Sequence, residues 1–113
     1  MSFKATSREA GAVMIFDLNG RITLGEGSAL LRELVRKALD GGHHKILLNL
    51  AAIDYIDSTG LGELVSAYRL IKSQGGELKL LKLNKKVTDL LHVTKLYAVF
   101  DIHSDEAEAL DSF

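Results

Sequence analysis

The chain has 113 residues, with 14 Lys and Arg against 15 Asp and Glu, four His, and no Cys, Pro or Trp. A chain of this length is expected to form one domain, residues 1–113, with a core that needs no staples, and the absence of Cys excludes disulfides, thiolate zinc sites and cysteine nucleophiles. The net charge of −1 gives no basic footprint for nucleic acid, the opening residues contain no secretory signal, and no stretch approaches the roughly 18 apolar residues of a membrane span.

The first residues predict a β-hairpin. Residues 3–8 alternate between apolar and polar side chains and predict an edge strand, and residues 9–11 predict a turn. Residues 12–18 predict a second strand, which we expect to end at Gly20. Residues 21–27 contain two glycines and show no clear period, so they predict a loop over the rim of a sheet.

A helix and a buried strand follow the loop. Ser28 is the expected N-cap, leucines and valine recur after it at helical spacing, and the pair Gly41–Gly42 is the expected end of the helix. Residues 45–50 (KILLNL) form a continuous apolar run of strand length. Such a run is typical of a parallel strand that is buried on both faces.

The remaining elements continue this alternation of strands and helices. In chain order we expect a helix with its buried stripe from Leu61 to Ile71 that ends at Gly75–Gly76, a strand over 77–83, a short helix capped by Asn84 and ending near Leu91, a strand over 97–102, and a terminal helix from Ser104 to Leu110. Alternating strands and helices predict an α/β fold. Its central mixed, mostly parallel β-sheet has an N-terminal hairpin and about four α-helices.

The turn over residues 54–62 (DYIDSTGLG) joins a buried strand to a helix, and open α/β sheets place ligands and functional loops at this end of their strands. Asp57 or Ser58 is expected to cap the helix, close to unpaired backbone N–H groups and the positive end of the helix dipole. Gly60 and Gly62 lack side chains, so another backbone or a partner surface can approach closely. A purely structural role, in which Asp57 or Ser58 caps the helix and the two glycines permit close packing, would explain the same residues.

Catalytic interpretations of this turn find little support. Asp54 and Asp57 could act as paired carboxylates or bind magnesium, but the sequence suggests no third ligand. Ser58 lacks the G-x-S-x-G setting of a hydrolytic nucleophile. The four histidines are not spaced as a metal site. The sequence therefore predicts no catalytic residue, no metal site and no cofactor.

The same turn carries a family resemblance. Tyr55–Gly62 (YIDSTGLG), preceded by the strand at 46–50, resembles the signature of STAS domains, specifically the bacterial anti-sigma factor antagonists. Residues 72–80 (KSQGGELKL) resemble the K-x-x-G-G-x-L segment of that family. Residues 87–91 and 94–96 are similar to its downstream V-x-x-L-L and T-K-L pattern. The resemblance covers nearly the whole chain in the expected order, and it implies the STAS fold.

The resemblance also implies a function. Members of the family capture an anti-sigma factor, often a kinase of the histidine-kinase-like ATPase type, and so release a sigma factor. The kinase phosphorylates the serine after the motif's aspartate, which here is Ser58 after Asp57. A cytoplasmic, non-enzymatic phosphoprotein is therefore expected. The expected partner-binding residues are Arg21, Thr23, Asp57, Ser58, Thr59, Gly60, Leu61 and Gly62.

One loop departs from the family pattern and leaves an alternative open. Thr23 stands where many kinase-regulated antagonists carry an aspartate, and Arg21 precedes it. An arginine at this rim could pair with a phosphate. The alternative function is a STAS interaction subunit of a lipid-transport or signalling complex without regulation by phosphorylation.

Overall fold

The computed structural model describes residues 3–113, which form one five-stranded sheet in the order β1-β2-β3-β4-β5. Strands β1 and β2 are antiparallel and every other neighbouring pair is parallel. The strands are β1 (Phe3–Ala10), β2 (Val13–Ile22), β3 (Lys45–Ile56), β4 (Glu77–Leu81) and β5 (Asp101–His103), and the helices are α1 (Glu26–Asp40), α2 (Ser58–Ser73), α3 (Lys85–Val93) and α4 (Glu106–Asp111). The predicted α/β fold with an N-terminal hairpin is confirmed.

The two faces of the sheet are covered unequally. Ile46 and Leu48 of β3 point into the main core, which α1, α2 and α3 complete with side chains such as Leu64. Leu47 points to the opposite face, where the short helix α4 packs Ala109 against it in a smaller cluster. Burying each large aliphatic side chain stabilises the fold by about 1.5–3 kcal/mol. Most of this stabilisation therefore comes from the face that α1, α2 and α3 cover.

Strand β2 is longer than expected, and the predicted end at Gly20 is wrong. Pairing with β3 continues past the glycine, with Arg21 opposite Tyr55 and Ile22 opposite Ile56. The register shifts between Gly20 and Arg21, and Gly20 has a φ of 105°, which a glycine adopts without strain. The glycine therefore marks an irregularity inside the strand, and β2 and β3 end side by side.

The loop after β2 is correspondingly short. Helix α1 begins at Glu26 after Gly25, so the expected N-cap at Ser28 is wrong. Ser28 instead lies buried in the first turn, and its hydroxyl donates to the carbonyl of Thr23 at 2.8 Å. A Cβ at Gly27 would lie 2.4 Å from the carbonyl oxygen of Arg21. Helix α1 thus starts in direct contact with the end of β2, a contact that local capping signals do not report.

The predicted strand over 97–102 is wrong except at its end. Only Asp101–His103 pairs with β4, which itself ends at Leu81 instead of Leu83. The residues before β5 form turns, and Phe100 packs edge-on against Tyr68 with ring centroids 5.6 Å apart. The apolar character of this segment therefore reflects the filling of the core from a turn, and Leu78 of β4 has no partner in β5.

The side chain of Asn84 joins the start of α3 to the sheet, in addition to the core packing of Val87 and Leu91. The predicted Asn84 cap is confirmed, because its Oδ1 accepts from the N–H of Val87 at 2.9 Å. Its Nδ2 donates to the carbonyl of Ile53 at 2.9 Å, which joins α3 to β3. This contact holds α3 beside the turn that follows β3. Among residues 3–113, no helix combines the length and the apolar character that crossing a bilayer requires.

Candidate functional site

The turn after β3 meets the loop after β2 at one end of the sheet. Because β2 and β3 are parallel and end together, Arg21 and Thr23 lie near the start of α2. Ser58 and Thr59 are the first residues of α2, and both are exposed. The structure therefore brings together residues that are more than 30 positions apart in sequence.

Asp57 is the residue that joins these two segments. It caps α2, because its Oδ1 accepts from the N–H of Gly60 at 2.7 Å. Its Oδ2 accepts from the N–H of Leu24 at 3.0 Å, and its own N–H donates to the carbonyl of Ile22 at 3.3 Å. Of the two expected caps, Asp57 has this role, and Ser58 is left at the surface.

The charge of Asp57 is stabilised by backbone donors. Hydrogen bonds from the N–H groups of Gly60 and, next in size, Leu24 lower the pKa of its carboxyl below the usual range. Because the folded-state pKa is depressed, the carboxylate contributes stability that is fully present above the unfolded-state value of about 3.9. That contribution is lost as the pH falls through the folded-state pKa.

We expect Asp57→Asn to separate the two contacts of this side chain. Asparagine remains a good N-cap, so the contact with Gly60 is kept. The asparagine side chain has one oxygen and no charge, so the N–H of Leu24 loses its good acceptor. We expect this loss to lower the free energy of unfolding by about 1 kcal/mol at neutral pH. Urea unfolding of both proteins from pH 7 to pH 3 measures the difference. The difference in the free energy of unfolding should be constant above about pH 5 and shrink as the wild-type carboxylate is protonated. A difference that does not change with pH would contradict a stabilising role for the Asp57 charge.

The two glycines of the turn have different surroundings. A Cβ at Gly60 would lie 1.9 Å from the carbonyl oxygen of Ile22, whereas a Cβ at Gly62 would meet nothing within 4 Å. The close approach expected at Gly60 is therefore made inside the chain, by the end of β2. Leu61 is also buried. Of the expected partner-binding residues, Gly60 and Leu61 build the turn, and Ser58, Thr59, Gly62 and Arg21 are exposed.

The structure adds apolar residues that the sequence analysis did not single out. Leu24 is 76% exposed at the tip of the loop that Asp57 holds. Tyr55 is 48% exposed and lines a groove of about 430 Å³ between the turn and α3, together with Lys86 and Leu90. Leu24 was detectable as an apolar residue in a polar, glycine-containing loop. The contribution of α3 was not, because it depends on how α3 packs.

The arrangement is suited to binding. Both Asp57 oxygens already accept backbone hydrogen bonds, and Asp54 is exposed. Within the described part of the chain, no three His, Asp or Glu residues cluster as a metal site would require. What the turn presents is an exposed hydroxyl at a helix N-terminus, bordered by exposed apolar side chains. Such a surface can pack against a partner, and its hydroxyl can accept a phosphoryl group.

Comparison with known proteins agrees with this geometry. The family model of the STAS domain matches residues 4–109. The anti-sigma-B factor antagonist of Bacillus subtilis is 35% identical over 86 residues, which cover 76% of this chain and 77% of that protein. A solved Thermotoga maritima protein, provisionally classed as an anti-sigma factor antagonist, has a TM-score of 0.88 at 29% identity over 96% of this chain and 92% of its own. The phosphorylated form of the Bacillus protein SpoIIAA has a TM-score of 0.73 at 19% identity over 98% of both chains, a likeness of fold.

Proposed function

The chain belongs to the STAS domain family, and from that premise we propose that it is an anti-sigma factor antagonist. In this role it binds an anti-sigma factor of the histidine-kinase-like ATPase type and so releases a sigma factor in the cytoplasm. The proposed function is one of binding, without a reaction catalysed by the chain itself. The single observation that carries it is the exposed Ser58 turn, held in a defined shape by Asp57 and bordered by exposed Leu24.

The shape of this turn favours a protein partner. Leu24 and Tyr55 place apolar surface on two sides of the exposed helix start, and apolar surface of this kind marks interaction sites. Gly62 adds a helix position without a side chain, where a partner can approach the backbone. The two hydrogen bonds of Asp57 order the loop before binding, so little conformational entropy is lost when the partner docks.

We propose that phosphorylation of Ser58 switches the complex off. The kinase transfers the γ-phosphoryl group of ATP to the Ser58 oxygen, which loses its proton, and ADP leaves as the bond to its β-phosphate breaks. The phosphate adds a charge of about −1.5 to −2 at neutral pH. At the N-terminus of α2 this charge is compatible with the fold. At an interface it places a hydrated dianion against the partner, so the expected effect is on binding.

The test uses a purified anti-sigma factor of the histidine-kinase-like ATPase type from the same organism. We expect a stable complex by size-exclusion chromatography and calorimetry, and, with ATP, a single phosphate that mass spectrometry locates at Ser58. Ser58→Ala should bind and remain unphosphorylated, whereas Thr59→Ala should still be phosphorylated. Failure of the wild-type chain to bind any such anti-sigma factor would overturn the proposal.

A second candidate differs in regulation. Thr23 has no carboxylate to place beside Ser58, in contrast to the family's usual loop. If Ser58 is not phosphorylated, the chain is a STAS interaction subunit of a lipid-transport or signalling complex, and Ser58 is a structural contact. The same experiment distinguishes the two functions, because this candidate predicts no ATP-dependent phosphate on the chain and no complex with the anti-sigma factor.

A further inference from the structure

The groove beside Ser58 has one wall from the turn after β3 and the other from α3. Ser58 and Tyr55 lie on the first wall, and Lys86 and Leu90 lie on the second. The volume of about 430 Å³ is several times that of a phosphate group, and the groove is open to solvent. Ile56 and the other buried side chains beneath it make its floor apolar. A group added to the Ser58 oxygen therefore has space to enter this groove.

The charges around the groove are not equivalent. Asp57 directs its carboxylate to the N–H groups of Gly60 and Leu24, at 2.7 and 3.0 Å. Asp89 also lines the groove, but its carboxylate accepts from Lys85 at 2.8 Å. For Lys86, in contrast, no carboxylate of residues 3–113 lies within 4.0 Å of the amine. Lys86 is thus a cation of this groove that forms no ion pair with a carboxylate of the described residues.

We propose that Lys86 is the counter-ion for a phosphate on Ser58, so that phosphorylation places an ion pair across the groove between α2 and α3. This inference rests on the proposed phosphorylation of Ser58. The lysine stem is flexible and its amine can turn toward an anion on the opposite wall. The ion pair fills the entrance of the groove and removes it from the surface offered to a partner. Phosphorylation then acts in two ways, through its charge and through occupation of the groove.

The pairing has a measurable consequence for the phosphate itself. A nearby cation favours the dianionic form, so it lowers the second pKa of phosphoserine from its ordinary value of about 6. For an exposed pair of this kind we expect a shift of about half a pH unit. Salt screens such a contact, so the shift should become smaller at high ionic strength.

The experiment uses the full chain with phosphoserine installed at position 58 during translation, and no partner is present. Phosphorus NMR titration gives the second pKa of the phosphate in otherwise wild-type protein and in Lys86→Gln. We expect Lys86→Gln to raise this pKa by about half a unit in 0.05 M NaCl, and by much less in 0.5 M NaCl. Circular dichroism and thermal unfolding verify that each variant is folded.

Two matched variants test the specificity of the assignment. Lys72→Gln removes the same charge at the far end of α2, about 21 Å along the helix axis, and should leave the pKa of the phosphate unchanged. Arg21→Gln removes the cation at the rim of β2 and should have a smaller effect than Lys86→Gln. Equal values in wild type and Lys86→Gln, or a larger shift in Arg21→Gln, would overturn the inference. The proposed function fails separately, through absence of the anti-sigma factor complex.

Discussion

Gly60→Ala is expected to destabilise the protein by about 3 kcal/mol or more. The added Cβ would lie 1.9 Å from the carbonyl oxygen of Ile22 and 2.7 Å from its carbonyl carbon. Both are backbone atoms, so no side-chain rotation relieves the contact. The start of α2 and the end of β2 would have to separate, which also strains the hydrogen bond from the N–H of Asp57 to Ile22.

Gly62→Ala is the matched control, two residues further along the same helix. Its Cβ would meet nothing within 4 Å. Alanine is favoured over glycine inside a helix, so this variant should be more stable than wild type by about 0.5–1 kcal/mol. Urea unfolding of the three proteins at pH 7 measures both effects. Similar stabilities for the two alanine variants would show that the contact with Ile22 has been misassigned.

Ser58→Asp is expected to weaken binding to the anti-sigma factor a few hundred-fold, which corresponds to about 3–4 kcal/mol. Ser58 is exposed at the N-terminus of α2, where a carboxylate interacts favourably with the helix dipole. The fold should therefore be kept or slightly stabilised. The loss is expected at the interface, where a charge that replaces a small hydroxyl must be desolvated against the partner.

Two substitutions separate this effect from a general effect of charge. Ser58→Ala should bind within about threefold of wild type, because it introduces no charge into the interface. Ser73→Asp adds the same charge at the other end of α2, about 22 Å away, and should also bind normally. Calorimetric titration of each variant against the same anti-sigma factor gives the dissociation constants. Comparable weakening by Ser73→Asp and Ser58→Asp would argue against Ser58 as the point of contact.

The residues of the turn divide into two roles. Asp57 and Gly60 hold α2 against the end of β2 through hydrogen bonds and close packing. Ser58 and Gly62 lie at the surface, one with a hydroxyl and one without a side chain. Substitutions in the first pair should lower stability, and charged or large residues in the second should lower affinity. Mutations of this motif can therefore be sorted by measuring folding and binding separately.

Several features could be read from local pattern because their causes are local. The Asn84 cap needs only a side-chain oxygen three residues before an N–H, and Gly42, with a φ of 87°, ends α1 by its own backbone freedom. The first half of β3, residues 45–50, follows from a continuous apolar run, but the predicted end at residue 50 is wrong, because pairing with β2 carries β3 on to Ile56.

The wrong boundaries have non-local causes. Strand β2 continues to Ile22 because β3 pairs with it, and β5 begins only at Asp101, after a turn from which Phe100 packs against Tyr68.

The amino-acid sequence was sufficient for the order of strands and helices, the family resemblance and the Asp57–Ser58 turn, because periodicity, caps and short motifs are encoded by neighbouring residues. The role of Gly60, the loop contact of Asp57 and the groove that joins Ser58 to Lys86 required the folded chain. Each of these depends on distances between segments from 28 to 38 positions apart in sequence, such as Ser58 and Lys86 or Gly60 and Ile22. Only the packing of α2 and α3 on the sheet brings such segments into contact.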